Sequence, residues 1–305
     1  MSAIIEAVDL SKWFGEVVAV NNLQLEVGIG VTGLLGPNGA GKSTLMKLAL
    51  GLYAPSRGHV HIFGQSPRNN RDVLRRIGYC PEGEHFYDSM SGYEFVYWMN
   101  RFWGMNGNVA GHRAEECLDQ VGMSSRMDDL VSSYSRGMRQ RIKIAAAIAT
   151  DPEILFLDEP LTGLDPQGRE EMFELIIEMG RSGKAVIMST HILYEVQRVT
   201  NNVVLLKDGS ILARGLVQDI RELIDEHPHA VTIACAEPRR LAAQFVQDAA
   251  TLHIEFDERQ VTIRTKDPNK FYDKLNGLII DGDATVSAVT CPDDNLQAVF
   301  DYLIQ

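Results

Sequence analysis

Apolar and polar positions alternate with a period of two through VNNLQLEVGIG (20–30) and GHVHIFG (58–64). Residues 1–30 as a whole keep this rhythm, which predicts antiparallel strands buried on one face. Elsewhere the pattern changes. GIGVTGLL (28–35), ILFLDEP (154–160) and VIMSTH (186–191) carry apolar runs that suit strands covered on both sides, as in a parallel sheet. STLMKLALGL (43–52) and IKIAAAIA (142–149) have helical spacing, and residues 83–150 read as mostly helical. VVLLKDGSILARG (203–215) predicts a hairpin about an Asp-Gly turn, and LVQDIRELIDE (216–226) a helix that closes the first domain.

The remainder follows a different order. HAVTIACAE, PRRLAAQFVQDAA, LHIEFDE, QVTIRTKD, PNKFYDKLNGLI, ATVSAVTCP and DNLQAVFDYLI read as strand, helix, strand, strand, helix, strand and helix. Up to the last strand this is βαββαβ, the order of a small ferredoxin-like α+β domain. The expected division is an α/β domain over 1–226, with its helical part at about 83–150, and an accessory domain over 227–305. The accessory domain shows no catalytic constellation, so regulation or dimer contact is its expected role. His227 and His229 straddle a proline and read as linker rather than metal ligands.

Composition narrows the class. The 305 residues suit two domains, and 45 % hydrophobic with 23 % charged residues is ordinary for a globular chain. The longest apolar candidate for a membrane span, IKIAAAIATDPEILFL, is interrupted by Lys143, Thr150, Asp151, Pro152 and Glu153. MSAIIEAVDL lacks the basic start and long apolar middle of a secretory signal. Cys80, Cys117, Cys235 and Cys291 form no CxxC pair, which fits reduced thiols in the cytoplasm. A net charge of −12 argues against a broad nucleic-acid footprint, so no nucleic acid is expected as a partner.

The chemistry begins at Gly36-Pro37-Asn38-Gly39-Ala40-Gly41-Lys42-Ser43-Thr44, which fits GxxxxGK[ST] between an apolar strand and a helix. Glycines let backbone N–H groups approach phosphate oxygens, the lysine adds a point charge, and the Ser43 hydroxyl can bind Mg²⁺. The helix start behind the loop also faces the anion. At the end of the 154–157 run stand two carboxylates, where open α/β sheets bind their ligands. Asp158 is expected in the Mg²⁺ shell and Glu159 as the group that orients and polarises the attacking water. His191 ends a third such strand and could reach a γ-phosphate. In YSRGMRQR (134–141), Ser135 and Gly137 would place a hydroxyl and an N–H at a second helix start, a second anion seat. One nucleotide does not need two seats from one chain, so the second is expected to serve a nucleotide held by another copy.

Together these motifs resemble an ATP-binding cassette (ABC) ATPase, over residues 3 to about 220. GPNGAGKST looks like its Walker A loop, ILFLDEP like Walker B, YSRGM like its signature, LTGLDP with Asp165 like the D-loop, and STH like the H-loop. The resemblance implies a P-loop cassette with a mixed central sheet, an antiparallel β subdomain and a helical subdomain. It implies ATP and Mg²⁺ as ligands, and two cassettes paired head to tail so that each ATP lies between one Walker A loop and the opposite signature. Phe14 in LSKWFGE matches the adenine-stacking aromatic, with Trp13 as the other candidate. The position of the Q-loop glutamine, a ligand of Mg²⁺ or water, holds Glu82 here, which adds a negative charge beside the phosphates and leaves its role open. Arg136 and Met138 replace a glycine and the glutamine of the usual signature. This YSxGM form resembles the cassettes of drug, sodium, polysaccharide and lipid exporters.

The resemblance therefore implies an ATPase subunit on the cytoplasmic face of a membrane, bound to a separate integral membrane transporter subunit. The rival is a soluble ABC ATPase acting on ribosomes or DNA. The stretch HFYDSMSGYEFVYWMNRFWG (85–104) holds eight aromatics. It reads either as a helix core face or as a groove for a partner's helix, with Tyr87 and Tyr93 the expected exposed residues and Trp98 and Trp103 the expected core.

Overall fold

The computed structural model describes residues 3–83, 86–216 and 229–291. It forms two compact units, 1–215 and 216–305. The expected helices at 216–226 and 294–304 lie outside the described residues, apart from Leu216, as does the expected domain boundary at 226/227.

In the first unit, β1 (Ile5–Phe14), β2 (Val17–Val27) and β4 (Arg57–Ile62) make an antiparallel sheet in the order β2-β1-β4. The alternating sequence buries one face of it: Ile5, Ala7, Leu23, Leu25, Val27, Val60 and Ile62 join the core with Leu45, Met46, Leu48 and Ala49 of α1 (Lys42–Ala49). The second sheet contains β3 (Gly30–Leu35), β5 (Ile77–Cys80), β6 (Ile154–Asp158), β7 (Ala185–Thr190), β8 (Asn202–Lys207) and β9 (Ser210–Leu216), in the order β5-β6-β7-β3-β8-β9. Pairing is parallel from β5 through to β8. Every residue of β6 and β7 is buried, which is why their sequences are apolar runs rather than alternations.

Helices α3 (Gly92–Phe102), α4 (Gly107–Gln120) and α5 (Arg136–Ile148) pack together around Phe95, Val96, Ala114, Leu118 and Ile142. A short α2 (Arg71–Leu74) precedes β5. After β6 and β7 come α6 (Pro166–Arg181) and α7 (Leu193–Val199).

The second unit runs β10 (His229–Cys235), α8 (Pro238–Phe245), β11 (Thr251–Phe256), β12 (Gln260–Thr265), α9 (Pro268–Ile280) and β13 (Val286–Thr290). Its strands lie in the order β11-β12-β10-β13, antiparallel throughout. Order and connection are those of the ferredoxin-like βαββαβ fold. Its core joins Val231, Ile233, Phe245, Val261, Ile263 and Phe271.

Candidate active site

Parallel strands raise their carboxyl ends on one side of a sheet, and the loops there build ligand sites. β3, β5, β6 and β7 bring four loops to this side, each carrying residues singled out from the sequence.

The loop after β3 holds Gly36 to Gly41. Gly41 has φ +101°, a conformation side chains disfavour, and a Cβ on it would meet the Ala19 carbonyl at 2.4 Å. A Cβ on Gly36 would stand 2.3 Å from the Leu206 carbonyl. Glycine is thus demanded by close backbone approach at both ends of the loop. Gly41 caps α1 without a side chain, so the first N–H groups of the helix, those of Lys42, Ser43 and Thr44, lack intrahelical acceptors and face outward. Asn38 and Gly39 are exposed at the loop's crest, Pro37 is half-buried and Ala40 is buried.

Lys42 is buried, and its Nζ donates to the Gly36 carbonyl at 2.7 Å and the Pro37 carbonyl at 3.1 Å. It also lies 3.7 Å from Glu159 Oε1. Burial pushes the ammonium pKa below its ordinary value, against the pull of the Glu159, Asp158 and Glu82 carboxylates. An ammonium so poorly solvated is ready to exchange weak neighbours for an anion.

Asp158 ends β6, and Glu159 follows it. Asp158 is 1 % exposed, and Ser189 on β7 donates its hydroxyl to Asp158 Oδ1 at 2.5 Å. Glu159 takes φ +49°. That left-handed backbone costs a non-glycine residue about 1–2 kcal/mol. It is held there by Ser189, which accepts the Glu159 N–H through both its carbonyl, at 3.2 Å, and its hydroxyl, at 3.0 Å. The turn aims the Glu159 carboxylate at Lys42 on one side and at His191 on the other. His191 Nδ1 is 3.1 Å from both carboxylate oxygens. Residues from three separate loops thereby form one chain, Lys42, Glu159 and His191.

The turn that carries His191 has its own support. Thr190 donates to the buried Glu195 at 2.5 Å and accepts from the Ile192 N–H at 3.0 Å. Arg169 of α6 lies 3.7 Å from the same carboxylate. Burial raises the Glu195 pKa, and the Thr190 and Arg169 contacts oppose the shift.

Glu82 follows β5 and is exposed, within electrostatic reach of Lys42. Phe14 is 43 % exposed at the end of β1. It meets Tyr53 edge-on at 5.3 Å, with Lys12 Nζ 5.0 Å from its centroid. Trp13 is equally exposed.

Ser135 is exposed and caps α5 by accepting from the Met138 N–H at 3.2 Å, with Gly137 half-buried in the first turn. Asp165 caps α6 in the same way, accepting from the Gly168 N–H at 3.0 Å. The cap uses Oδ1 of an exposed carboxylate.

The aromatic stretch divides differently from the expectation. Tyr87 is exposed, but Tyr93 packs on the core, whereas Trp98 and Trp103 are exposed. Trp98 is an exposed position of α3, whose core side is filled by Phe95 and Val96, and Trp103 caps the carboxyl end of that helix. Trp103 lines an apolar hollow of about 450 Å³ with Leu50, Leu52, Tyr79, Phe95 and Met99. Sequence reasoning overlooked Ser189, Glu195, Gln140 and Lys143, because a polar residue inside an apolar run names no partner until the fold supplies one.

No group of three or more His, Cys, Asp or Glu side chains among the described residues is arranged to hold a metal ion. The oxygens of Ser43, Asp158 and Glu82 still suit Mg²⁺, which keeps several waters and takes one or two carboxylates beside substrate phosphates.

The ABC transporter family model matches residues 20–162, from β2 to just past the β6 carboxylates. An uncharacterized ABC transporter ATP-binding protein of Nostoc sp. is 38 % identical over 68 % of this chain, a match that spans under two thirds (63 %) of that relative's own length. The bacitracin transport ATP-binding protein BcrA of Enterococcus faecalis is 30 % identical over 100 % of this chain and 97 % of its own. The dimeric structure of a bacterial ABC transporter cassette superposes with a TM-score of 0.66 at 25 % identity, covering 70 % of this chain and 98 % of the other. With sequence similarity along the full length of a relative and the same cassette fold around the phosphate loop, the chain belongs to the ABC transporter family of ATP-binding proteins.

Proposed function

We propose that this protein is the ATP-hydrolysing subunit of an exporter-type ABC transporter. The observation that carries the reading is the Lys42–Glu159–His191 chain at the carboxyl ends of three strands, beside a helix N-terminus built for phosphate.

Each residue has a task on this reading. Phe14 stacks on the adenine. The backbone N–H groups from Gly36 to Thr44 hold the phosphates, and Lys42 leaves its carbonyl partners for the β- and γ-phosphate oxygens. Glu159 accepts a proton from the attacking water, and its position is enforced by Ser189 from behind and His191 from the side. His191 faces the γ-phosphate and keeps the carboxylate turned toward the water. Mg²⁺, held by Ser43 and Asp158 with Glu82 at its edge, would neutralise charge on the phosphate oxygens.

Ser135, Gly137 and Asp165 complete the site of a second copy. Ser135 and Gly137 offer a hydroxyl and an N–H at an exposed helix start, where the γ-phosphate of the opposite nucleotide would dock. Two copies close around two ATP molecules and reopen after hydrolysis. The dimeric cassette that this fold resembles supports the pairing.

No helix among the described residues is long and apolar enough to cross a membrane. The work therefore passes to an integral membrane subunit, whose cytoplasmic helix would lie in the hollow beside Trp103 and Met99, with the Glu82 loop near its rim. The protein would sit at the cytoplasmic face of the membrane through that contact. The test is to purify the chain with the membrane proteins it binds in its own cell and to measure ATP hydrolysis and substrate efflux in vesicles. An ATPase that copurifies with a membrane protein and drives efflux is expected. An active ATPase that copurifies with ribosomes or DNA instead overturns the transporter reading.

A further inference from the structure

The reading above gives the buried ammonium of Lys143 no task. Lys143 lies in the middle of α5 and is 6 % exposed. Its Nζ donates to the Pro81 carbonyl at 2.8 Å and the Glu82 carbonyl at 3.0 Å, with the Gly83 carbonyl at 3.5 Å. Its stem lines the apolar hollow together with Phe95, Ala146 and Ala147. A methionine would fill that space without the cost of desolvating an ammonium. What the ammonium adds is a grip on the carbonyls of the loop that carries Glu82.

Three residues earlier, on the same side of the helix, Gln140 is 4 % exposed and donates to the Pro160 carbonyl at 2.8 Å. Pro160 directly follows Glu159. One face of α5 thus holds two active-site loops by their backbones, one after β5 and one after β6, while Ser135 caps the exposed end of the same helix.

We propose that Lys143 is a positioning residue, which ties the Glu82 loop to α5 so that docking of the Ser135 end on a second nucleotide resets Glu82. A rigid helix moves as a unit, and a charge-assisted bond to backbone carries that displacement into the loop without relying on a side-chain rotamer. The proposal rests on the ATPase reading for its catalytic consequence, but the anchoring itself does not.

The experiment compares Lys143→Met and Lys143→Arg in the full chain. Lys143→Met is expected to leave the Kd for ATP within about 2-fold, because the carbonyls of residues 81–83 that it holds lie outside the phosphate loop, and to lower kcat by about 10-fold or more, as expected for losing charge-assisted bonds. Lys143→Arg, which keeps the charge and donors, should recover most of that loss. In a Glu82→Ala background, Lys143→Met should cost less than about 2-fold, since the group it positions is gone. Equal losses in both backgrounds, or a wild-type kcat in Lys143→Met, overturn the proposal. So does a Kd that rises in step with the fall in kcat. Hydrogen exchange over residues 77–83 keeps the anchor testable apart from turnover. Faster exchange there in Lys143→Met, with β6 and β7 unchanged, is expected, and unchanged exchange at 77–83 overturns the anchor. A wild-type chain with no ATPase activity would count against the proposed function, while the exchange result would still decide the anchor. If Lys143→Met does not fold, Lys143→Leu, which also lacks donors for the carbonyls, is read by the same criteria.

Discussion

His191 Nδ1 stands 3.1 Å from each carboxylate oxygen of Glu159, so the imidazole bisects the carboxylate rather than favouring one oxygen. The two residues come from adjacent parallel strands whose pairing sets Asp158 opposite Ser189. Sheet register, not loop flexibility, determines their separation.

Glu159→Gln is therefore expected to retain ATP binding and lose hydrolysis. An amide cannot accept the proton, and loss of a general base costs about 10²–10⁴-fold. With ATP the variant should accumulate as a closed dimer, visible as doubled mass in light scattering. Turnover near that of the wild type would remove Glu159 from the base role. His191→Ala should give a smaller loss in kcat with little change in ATP affinity, because it removes the carboxylate's lateral support while leaving the base.

The two-copy site has a complementation test. Ser135→Arg should leave the ATP affinity of the monomer unchanged, block ATP-driven dimerisation and stop turnover. Lys42→Ala should weaken ATP binding itself. Mixing the two should restore phosphate release, since each heterodimer can assemble one site from intact halves. A mixture no more active than the sum of its parts would count against exchange of parts between copies.

Glu195 supplies a pH test. Its folded-state pKa is raised, mainly by burial. The protonated form therefore favours the folded state below the ordinary carboxylate pKa, and this contribution is lost as pH rises through the raised folded value. Glu195→Gln keeps an oxygen for the Thr190 hydroxyl without the titration. Melting temperature measured from pH 4 to 8 should show the variant gaining on the wild type as pH rises. A gap that moves the other way would mean the ionised form is the better fit.

The hollow beside α3 makes the partner prediction specific. Replacing Trp103 and Met99 together with serine should leave ATP binding by the isolated chain intact and weaken copurification with a membrane protein. Both residues line the hollow, and Trp103 is substantially exposed in the described chain. Cysteines at 99 or 103 should crosslink to that membrane protein, and crosslinks to ribosomal protein or DNA would favour the soluble rival.

Much of this molecule was legible from residue order alone. Glycine spacing from Gly36 to Gly41, the apolar runs that end in Asp158 and His191, and the Ser135 cap are local features, because strand burial and helix capping act over a few neighbouring residues. The antiparallel sheet showed in the period of two, and the βαββαβ order in alternating short patterns. Whether an aromatic on α3 is buried depends on where α4 and α5 pack, so Trp103 and Tyr93 exchanged their expected roles. The same reason governs Lys143, one of four cations in its helix and indistinguishable from the others until the fold brings the carbonyls of residues 81–83 to it. Serine 189 is one more polar end to a strand until register sets it against Asp158 and the strained Glu159. Sequence determined which chemistry the chain could carry, since that rests on residue types at short spacing. Tertiary structure decided which atoms meet, since contacts such as Ser189 with Asp158, 31 positions apart, and Lys143 with Pro81, 62 apart, follow from sheet order and packing.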